Sequence, residues 1–176
     1  MIAQPVIKGK KVKLQPFTML DINSAYLGWL NDPEVVRFSN QRFVQHNEQS
    51  CKQYFSSFEG SQNLFLSIRR LVDDQQIGTM TAYISSHHRT ADIGIMVGEK
   101  KVWGLGFGLD AWDTLIHWLF GMVGIRKITA GTLACNHGMV KLMERSGMQL
   151  EATRKHQEIV ENELQDILCY ARFFND

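Results

Sequence analysis

The chain has 176 residues, 44% of them apolar and 21% charged, and its 19 Lys and Arg nearly cancel 18 Asp and Glu to leave a formal net charge of +1. That length suits a single domain, 1–176, able to take roughly two thirds of its unfolded surface out of water, and near-neutrality argues against a broad nucleic-acid or anionic-membrane surface. The opening MIAQPVIKGKK lacks the apolar run of a signal peptide, and no segment approaches a membrane span of about eighteen apolar residues, so a cytoplasmic protein is expected.

From Lys10 to Phe17, Val12 and Leu14 alternate with Lys11, Lys13 and Gln15, the pattern of a half-buried strand with solvated lysines. Thr18 and Asp21 have the spacing of a helix N-cap with an acidic third residue, which predicts a helix to about Leu30, stopped by the Asn31-Asp32 turn and Pro33. Trp29, Asn31, Arg37, Arg42 and Phe43 then gather an amphipathic aromatic, two arginines and amides beside a break in structure, a set suited to a polar or anionic ligand. Taken singly, Trp29 and Phe43 also fit a core and the arginines a solvated surface. Asn47 to Phe58 reads as a second helix with Cys51, Tyr54, Phe55 and Phe58 on one side. Strands follow at Leu64–Ile68, Gln76–Ile84 and Ala91–Val97, with turns near Asp73-Asp74 and from His87 to Thr90, and the isolated Gly94 predicts a bulge.

The stretch VWGLGFGLDAWDTLIHWLF, Val102 to Phe120, carries the strongest signal. Gly104, Gly106 and Gly108 tolerate positive φ and let a ligand approach the main chain. Leu109, Trp112, Leu115, Ile116 and Leu119 mark one face of a helix from Leu109, whose free N–H groups and partial charge of about +0.5 suit a pyrophosphate. A dinucleotide fingerprint needs glycine where Leu109 stands, and a P-loop needs Gly-Lys-Ser or Gly-Lys-Thr. A strand Lys127–Leu133 ends in Ala134-Cys135-Asn136, a helix Gly138–Arg145 is capped by Gly147, and a hairpin pairs Gln149–Val160 with Leu164–Phe173 around Glu161-Asn162-Glu163. Cys51, Cys135 and Cys169 are far apart and the six histidines lack ligand spacing, which predicts reduced thiols and no metal.

The order TADIGIMVGEK, WGLGFG, helix, RKITAGTL ending in Ala-Cys-Asn, and a helix reaching Ser146-Gly147-Met148 resembles motifs A and B of the GNAT superfamily of acyl-CoA-dependent N-acetyltransferases, particularly its Rim-type and nucleotide-amino-sugar branches. The resemblance covers most of the chain. It implies an α+β fold with a mostly antiparallel sheet of six to seven strands, splayed between the fourth and fifth and flanked by about four helices, and acetyl-CoA as acetyl donor. Pantetheine would pair with the main chain of Ile95, Met96 and Val97; the diphosphate would lie on Trp103, Gly104, Leu105, Gly106, Phe107, Gly108 and Leu109; Asn136 would contact the pantetheine. Asp92 would be the base or merely orient the amine, a main-chain N–H near Ile95 or Met96 would face the oxyanion, and Tyr170 or water would be the acid, because Met143 stands where the family places tyrosine.

The sequence departs from the family pattern at Met139, where serine is preferred, and at Trp103, where most loops carry Gln or Arg, although WGxG is common in the Rim-type branch. Cys135 lacks a histidine placed to activate it as an acetyl carrier, and Lys100 and Lys101 either face the phosphates or form a solvated turn. Trp29, Asn31, Arg37 and Arg42 would face the acceptor, with the terminal hairpin folded over it. The expected reaction is direct attack by a primary amine in a ternary complex, the amine belonging to a nucleotide-linked amino sugar or a protein N-terminus. A coenzyme-binding sensor without turnover, or an ATP-binding α/β domain, are the alternatives. Expected partners are a small-molecule or peptide amine, without nucleic acid or membrane, and the fold leaves room for a homodimer.

Overall fold

The alternating segments form strands in the computed structural model, which describes residues 6–174. In chain order these are β1 (Ile7–Lys8), β2 (Val12–Pro16), β3 (Leu64–Arg70), β4 (Gln76–Ser85), β5 (Thr90–Val97), β6 (Lys127–Leu133), β7 (Gln149–Val160) and β8 (Glu163–Phe173). Four helices accompany them: α1 (Ser24–Leu30), α2 (Glu48–Ser56), α3 (Phe107–Trp118) and α4 (His137–Arg145). The sheet runs β1-β2-β3-β4-β5-β6-β8-β7, and every neighbouring pair is antiparallel except β5 with β6. Eight strands replace the expected six to seven because Ile7–Lys8 folds back on β2.

The expected splay lies between β5 and β6. They pair only at Thr90↔Lys127, Ala91↔Ile128 and Asp92↔Thr129, whereas β5 stays with β4 as far as Gly78↔Val97 and β6 stays with β8 as far as Leu133↔Ile167. Residues 93–97 and 130–133 therefore stand apart across a gap, each held on its outer side. Side chains alternate along β3, so Leu64, Leu66 and Ile68 join one core with α3 while Phe65 joins another with α1 and α2 on the opposite face. In the first core Trp112, Leu115, Ile116 and Leu119 are fully buried. In the second, Phe17 stacks on Phe65 with ring centroids 4.1 Å apart, beside Tyr26 and Trp29.

Three local expectations change. Thr18 and Asp21 close a 3₁₀ turn rather than open the helix, because the fully buried Asp21 carboxylate is taken by Thr18 N, Thr18 Oγ1, Ser67 Oγ and Arg69; Asn23 caps α1 instead. Gly94 makes no bulge, since it pairs in continuous register with Thr81. The glycine-loop helix begins at Phe107, two residues ahead of Leu109, and ends in a π turn at Leu119–Val123. Among the described residues no helix is long and apolar enough to cross a membrane. The reading of MIAQPVIKGKK as no signal peptide falls partly on the first five residues, which lie outside the described residues.

Candidate active site

Gly104 and Gly106 take φ of 73° and 82°, left-handed backbone that glycine adopts without strain. Gly106 caps α3, and its carbonyl accepts the first intrahelical bond, from Asp110 N at 3.1 Å. The N–H groups of Phe107, Gly108 and Leu109 consequently have no carbonyl behind them within the helix and aim outward from its positive end. One turn on, Asp110 accepts the main-chain N–H groups of Lys10, Lys11 and Val12 at 3.0, 2.8 and 3.0 Å. That clamp brings the β1–β2 turn against α3 and carries Lys11 over the loop, where its Nζ donates to Leu105 O at 2.8 Å and lies 5.5 Å from the centre of the Phe107 ring. The alternation from Lys10 to Phe17 marks Lys11 as merely solvated; the structure places its ammonium in the glycine loop, through contacts about a hundred positions apart in sequence.

A cleft of about 1210 Å³ runs from this loop, past residues 93–97 of the splay, to the α1–α2 side. Ile95, Met96, Val97, Trp103, Gly104, Leu105, Gly106, Gly108, Leu109 and Asn136 line it, while Phe107 is not part of its lining and packs against the core. The Trp103 indole Nε1 donates to Val97 O at 2.7 Å, so the last carbonyl of β5 is already bonded. Asn136 caps α4: its Oδ1 accepts from Met139 N at 3.3 Å and its Nδ2 donates to Thr132 Oγ1 at 3.2 Å. Lys141 and Arg145 stand exposed on the cleft side of α4. Lys100 is engaged with Asp32 and Glu34, whose carboxylates push its pKa up to about 12.

Asp92 occupies the last paired position before the splay and accepts from Thr129 Oγ1 at 2.7 Å. It lines a smaller cavity of about 590 Å³, with Glu151, Arg154 and Glu158, which shares Phe38, Gly131 and Thr132 with the main cleft. Its side chain meets solvent there, yet the cavity walls strip enough water from the carboxyl to raise its pKa above that of a free aspartate, against the opposing pull of the Thr129 hydroxyl.

Four predicted site residues sit elsewhere. Tyr170 is 4% exposed, faces the α3 core and donates its hydroxyl to Glu144 Oε1 at 3.1 Å; it reaches neither cavity and cannot protonate a leaving group in the cleft. Trp29 is 8% exposed and packs so tightly on Gly98 that a Cβ there would lie 2.1 Å from the indole. Asn31 is spent on the chain itself, donating to Leu27 O and His46 O and accepting from His46 N at 2.8 Å. Arg42 stacks on Phe43 and bonds Glu158 and Ile159 O, at 3.3 and 3.4 Å. Arg37 alone of the four predicted acceptor contacts lines the cleft, at its rim, where Glu161 takes its Nε and Nη2 at 2.9 and 3.0 Å. The two arginines thus latch the segment 37–43 to the β7–β8 hairpin.

At the α1–α2 end the walls are residues that no motif marked: Tyr26, Cys51, Tyr54, Phe65, Thr79 and Thr81. The only sequence signal for them was the helical spacing that set Cys51 and Tyr54 on one side of α2.

The family pattern described as the acetyltransferase (GNAT) domain matches residues 11–149. The chain belongs to the GNAT acetyltransferase family. It is 23% identical over 163 residues to the probable N-acetyltransferase YjcK of Bacillus subtilis (strain 168), covering 88% of this chain and 90% of that protein. Among solved structures, an acetyltransferase (GNAT family) from Bacillus anthracis shares 19% identity and a TM-score of 0.82, over 96% of this chain and 98% of the other. RimL, a ribosomal L7/L12 alpha-N-protein acetyltransferase in complex with coenzyme A, shares 13% identity and a TM-score of 0.85, over 97% and 99%. This GNAT chain is therefore an acyltransferase of mixed α+β fold that uses acetyl-CoA as donor. Its glycine loop fits that donor: two left-handed glycines, a helix N-terminus and the Lys11 ammonium converge where a diphosphate requires donors and positive charge.

Proposed function

We propose that this enzyme, as one domain over 1–176, transfers acetyl from acetyl-CoA to a primary amine by direct attack while both substrates are bound. The observation that carries the reading is the continuity of the cleft from the glycine loop, through the parted β5 and β6, to the α1–α2 face. A donor and an acceptor entering from opposite ends would meet at the splay.

Main-chain N–H groups of Gly104 and of residues 106–109, with Lys11 beside them, hold the diphosphate, the Leu105 N–H being taken by Val102 O, and Lys141 and Arg145 offer charge to the coenzyme's remaining phosphate. The coenzyme supplies a thioester carbonyl and a thiol that leaves readily. Ile95 provides a main-chain N–H group for the carbonyl oxygen as it gains charge, because in the ladder with β4 the Met96 N–H turns to Thr79 and that of Ile95 faces the gap; held by β4, it needs no reorganisation during reaction. Asp92 takes the amine's proton through water at the junction of the two cavities, beside Gly131 and Thr132. No side-chain acid is assigned, and solvent protonates the departing thiolate.

Between the two acceptors implied by the sequence, the cleft favours a Rim-type acceptor, the N-terminal amine of a protein or peptide. A nucleotide-linked sugar needs cations for its own diphosphate, and Arg37, the arginine at the acceptor rim, is neutralised by Glu161. Initial rates of thiol release at varied acetyl-CoA and varied peptide should give intersecting reciprocal plots. Parallel plots, the mark of an acetylated enzyme, would refute direct attack, and turnover confined to nucleotide-linked amino sugars would refute the acceptor assignment.

A further inference from the structure

Four residues close the acceptor end of the cleft with rings or apolar surface. Tyr26, Cys51 and Phe65, each under 5% exposed, form its floor. Tyr54 forms a wall, and its position is fixed from three sides: its ring meets Phe65 edge-on at 5.3 Å and Phe58 at 5.2 Å, and its hydroxyl lies 3.1 Å from that of Tyr83. The polar groups here are neutral. Thr79 and Thr81 offer hydroxyls, and withdrawal from water raises the pKa of the Tyr26 and Tyr54 phenols, which therefore stay protonated. His46 also lines this end, its main chain gripped on both sides by Asn31; its Nε2 is buried with no hydrogen-bond partner among the described residues, and burial lowers its pKa so that it too stays uncharged.

Ionic groups at this end are already matched. Glu34 is held by Lys100 and Arg37 by Glu161, both at the rim. The carboxylates of Asp92, Glu151 and Glu158 open on the smaller cavity, where Glu151 is bonded to Lys127 and Glu158 to Arg42. A charged body placed between Tyr26, Tyr54 and Phe65 would lose its hydration and gain no countercharge, whereas an aromatic or aliphatic one would bury apolar area and find ring edges at packing distance.

Building on the transfer reading above, we propose that the acceptor amine is carried by an uncharged aromatic or apolar body, and that this body lies on Tyr26, Tyr54 and Phe65. A peptide with a large apolar first residue and a small arylalkylamine present the same chemistry. The slot selects against polyamines and against bodies bearing carboxylate or phosphate.

The test uses the full chain with saturating acetyl-CoA in a thiol-release assay. The acceptors are otherwise identical peptides beginning with Phe, Leu, Gly, Lys or Glu, together with phenethylamine, spermidine and a nucleotide-linked amino sugar. The Phe and Leu peptides should exceed the Lys and Glu peptides at least tenfold in kcat/KM, with spermidine and the nucleotide sugar at the low end; phenethylamine as good as the Phe peptide would identify a small-amine enzyme, and much poorer a peptide enzyme. Equal or greater kcat/KM for the charged bodies would overturn the slot while leaving acetyl transfer intact. No turnover of any amine would overturn the transfer reading and the slot together. In Tyr54→Ala the ratio of Phe to Gly peptide should fall at least fivefold, whereas Tyr54→Phe, which keeps the ring, should preserve it. Because that ratio is independent of the fraction folded, a ratio unmoved in Tyr54→Ala would count against the slot even if the variant were less stable.

Discussion

Asp110→Asn removes the charge that holds the β1–β2 turn on α3 while leaving the side chain almost the same size. The carboxylate accepts three main-chain N–H groups at 2.8 to 3.0 Å, of which those of Lys10 and Lys11 are exposed and that of Val12 is partly buried. A hydrogen bond to a charged group contributes about 1.5–3 kcal/mol, and water recovers most of it at the two exposed sites. Loss of an anion from the first turn of a helix adds roughly 0.3–1 kcal/mol. The expected destabilisation is therefore about 3 kcal/mol, which for a chain of this size lowers Tm by roughly 6–12 °C. Lys11 should lose its place over Leu105 at the same time, and losing one charged donor to a phosphate should weaken coenzyme A binding by about tenfold. Calorimetric melting and isothermal titration with coenzyme A measure the two effects separately. Lys11→Ala should reproduce the loss of affinity with Tm within about 2 °C of the parent, since its exposed side chain adds little to stability. An Asp110→Asn protein that melts with the parent and binds coenzyme A as tightly would show that the clamp neither stabilises the fold nor places Lys11.

Gly98→Ala should lower stability by about 1–3 kcal/mol, because the new Cβ would meet the Trp29 ring at 2.1 Å and the indole is closed in by its core; a chemical-denaturation midpoint equal to the parent's would contradict this packing. Tyr170→Phe should leave kcat within about twofold and cost roughly 0.5–1.5 kcal/mol through the lost bond to Glu144, so a tenfold fall in kcat would return Tyr170 to the list of acids. Asp92→Asn should cut kcat/KM and abolish the acid limb of its pH profile, a limb lying above the pKa of a free aspartate because desolvation raises this group and only its ionised form accepts a proton. The sign for stability is opposite: folding makes Asp92 harder to ionise, so its stabilising contribution exists at pH below the unfolded pKa and is lost as pH rises through the folded one. Asp92→Asn should accordingly be no less stable than the parent at neutral pH, and a parent-like pH profile in this variant would assign the carboxylate to structure.

The sequence by itself determined the elements and the coenzyme loop, because both follow from interactions within a few residues. Alternation marked β2, bounding turns marked β3 to β5, the three and four spacing marked α3, and glycines at 104 and 106 marked the left-handed turns that start it. Only the tertiary structure decided which side chains reach the cleft. Cys169, Tyr170 and Ala171 form an unbroken apolar run whose composition does not distinguish one face of the strand from the other, and it is the pairing Ala130↔Tyr170 that turns the tyrosine into the α3 core. Arg37 and Lys11 look alike as solvated cations in the chain. One is neutralised by a glutamate 124 positions away and the other is delivered to the glycine loop by an aspartate 99 positions away. Local geometry is set by the dihedral preferences and periodicity of adjacent residues, but the partner of a long charged side chain is set by which distant segments the buried faces of the sheet bring together, and that is a property of the whole fold.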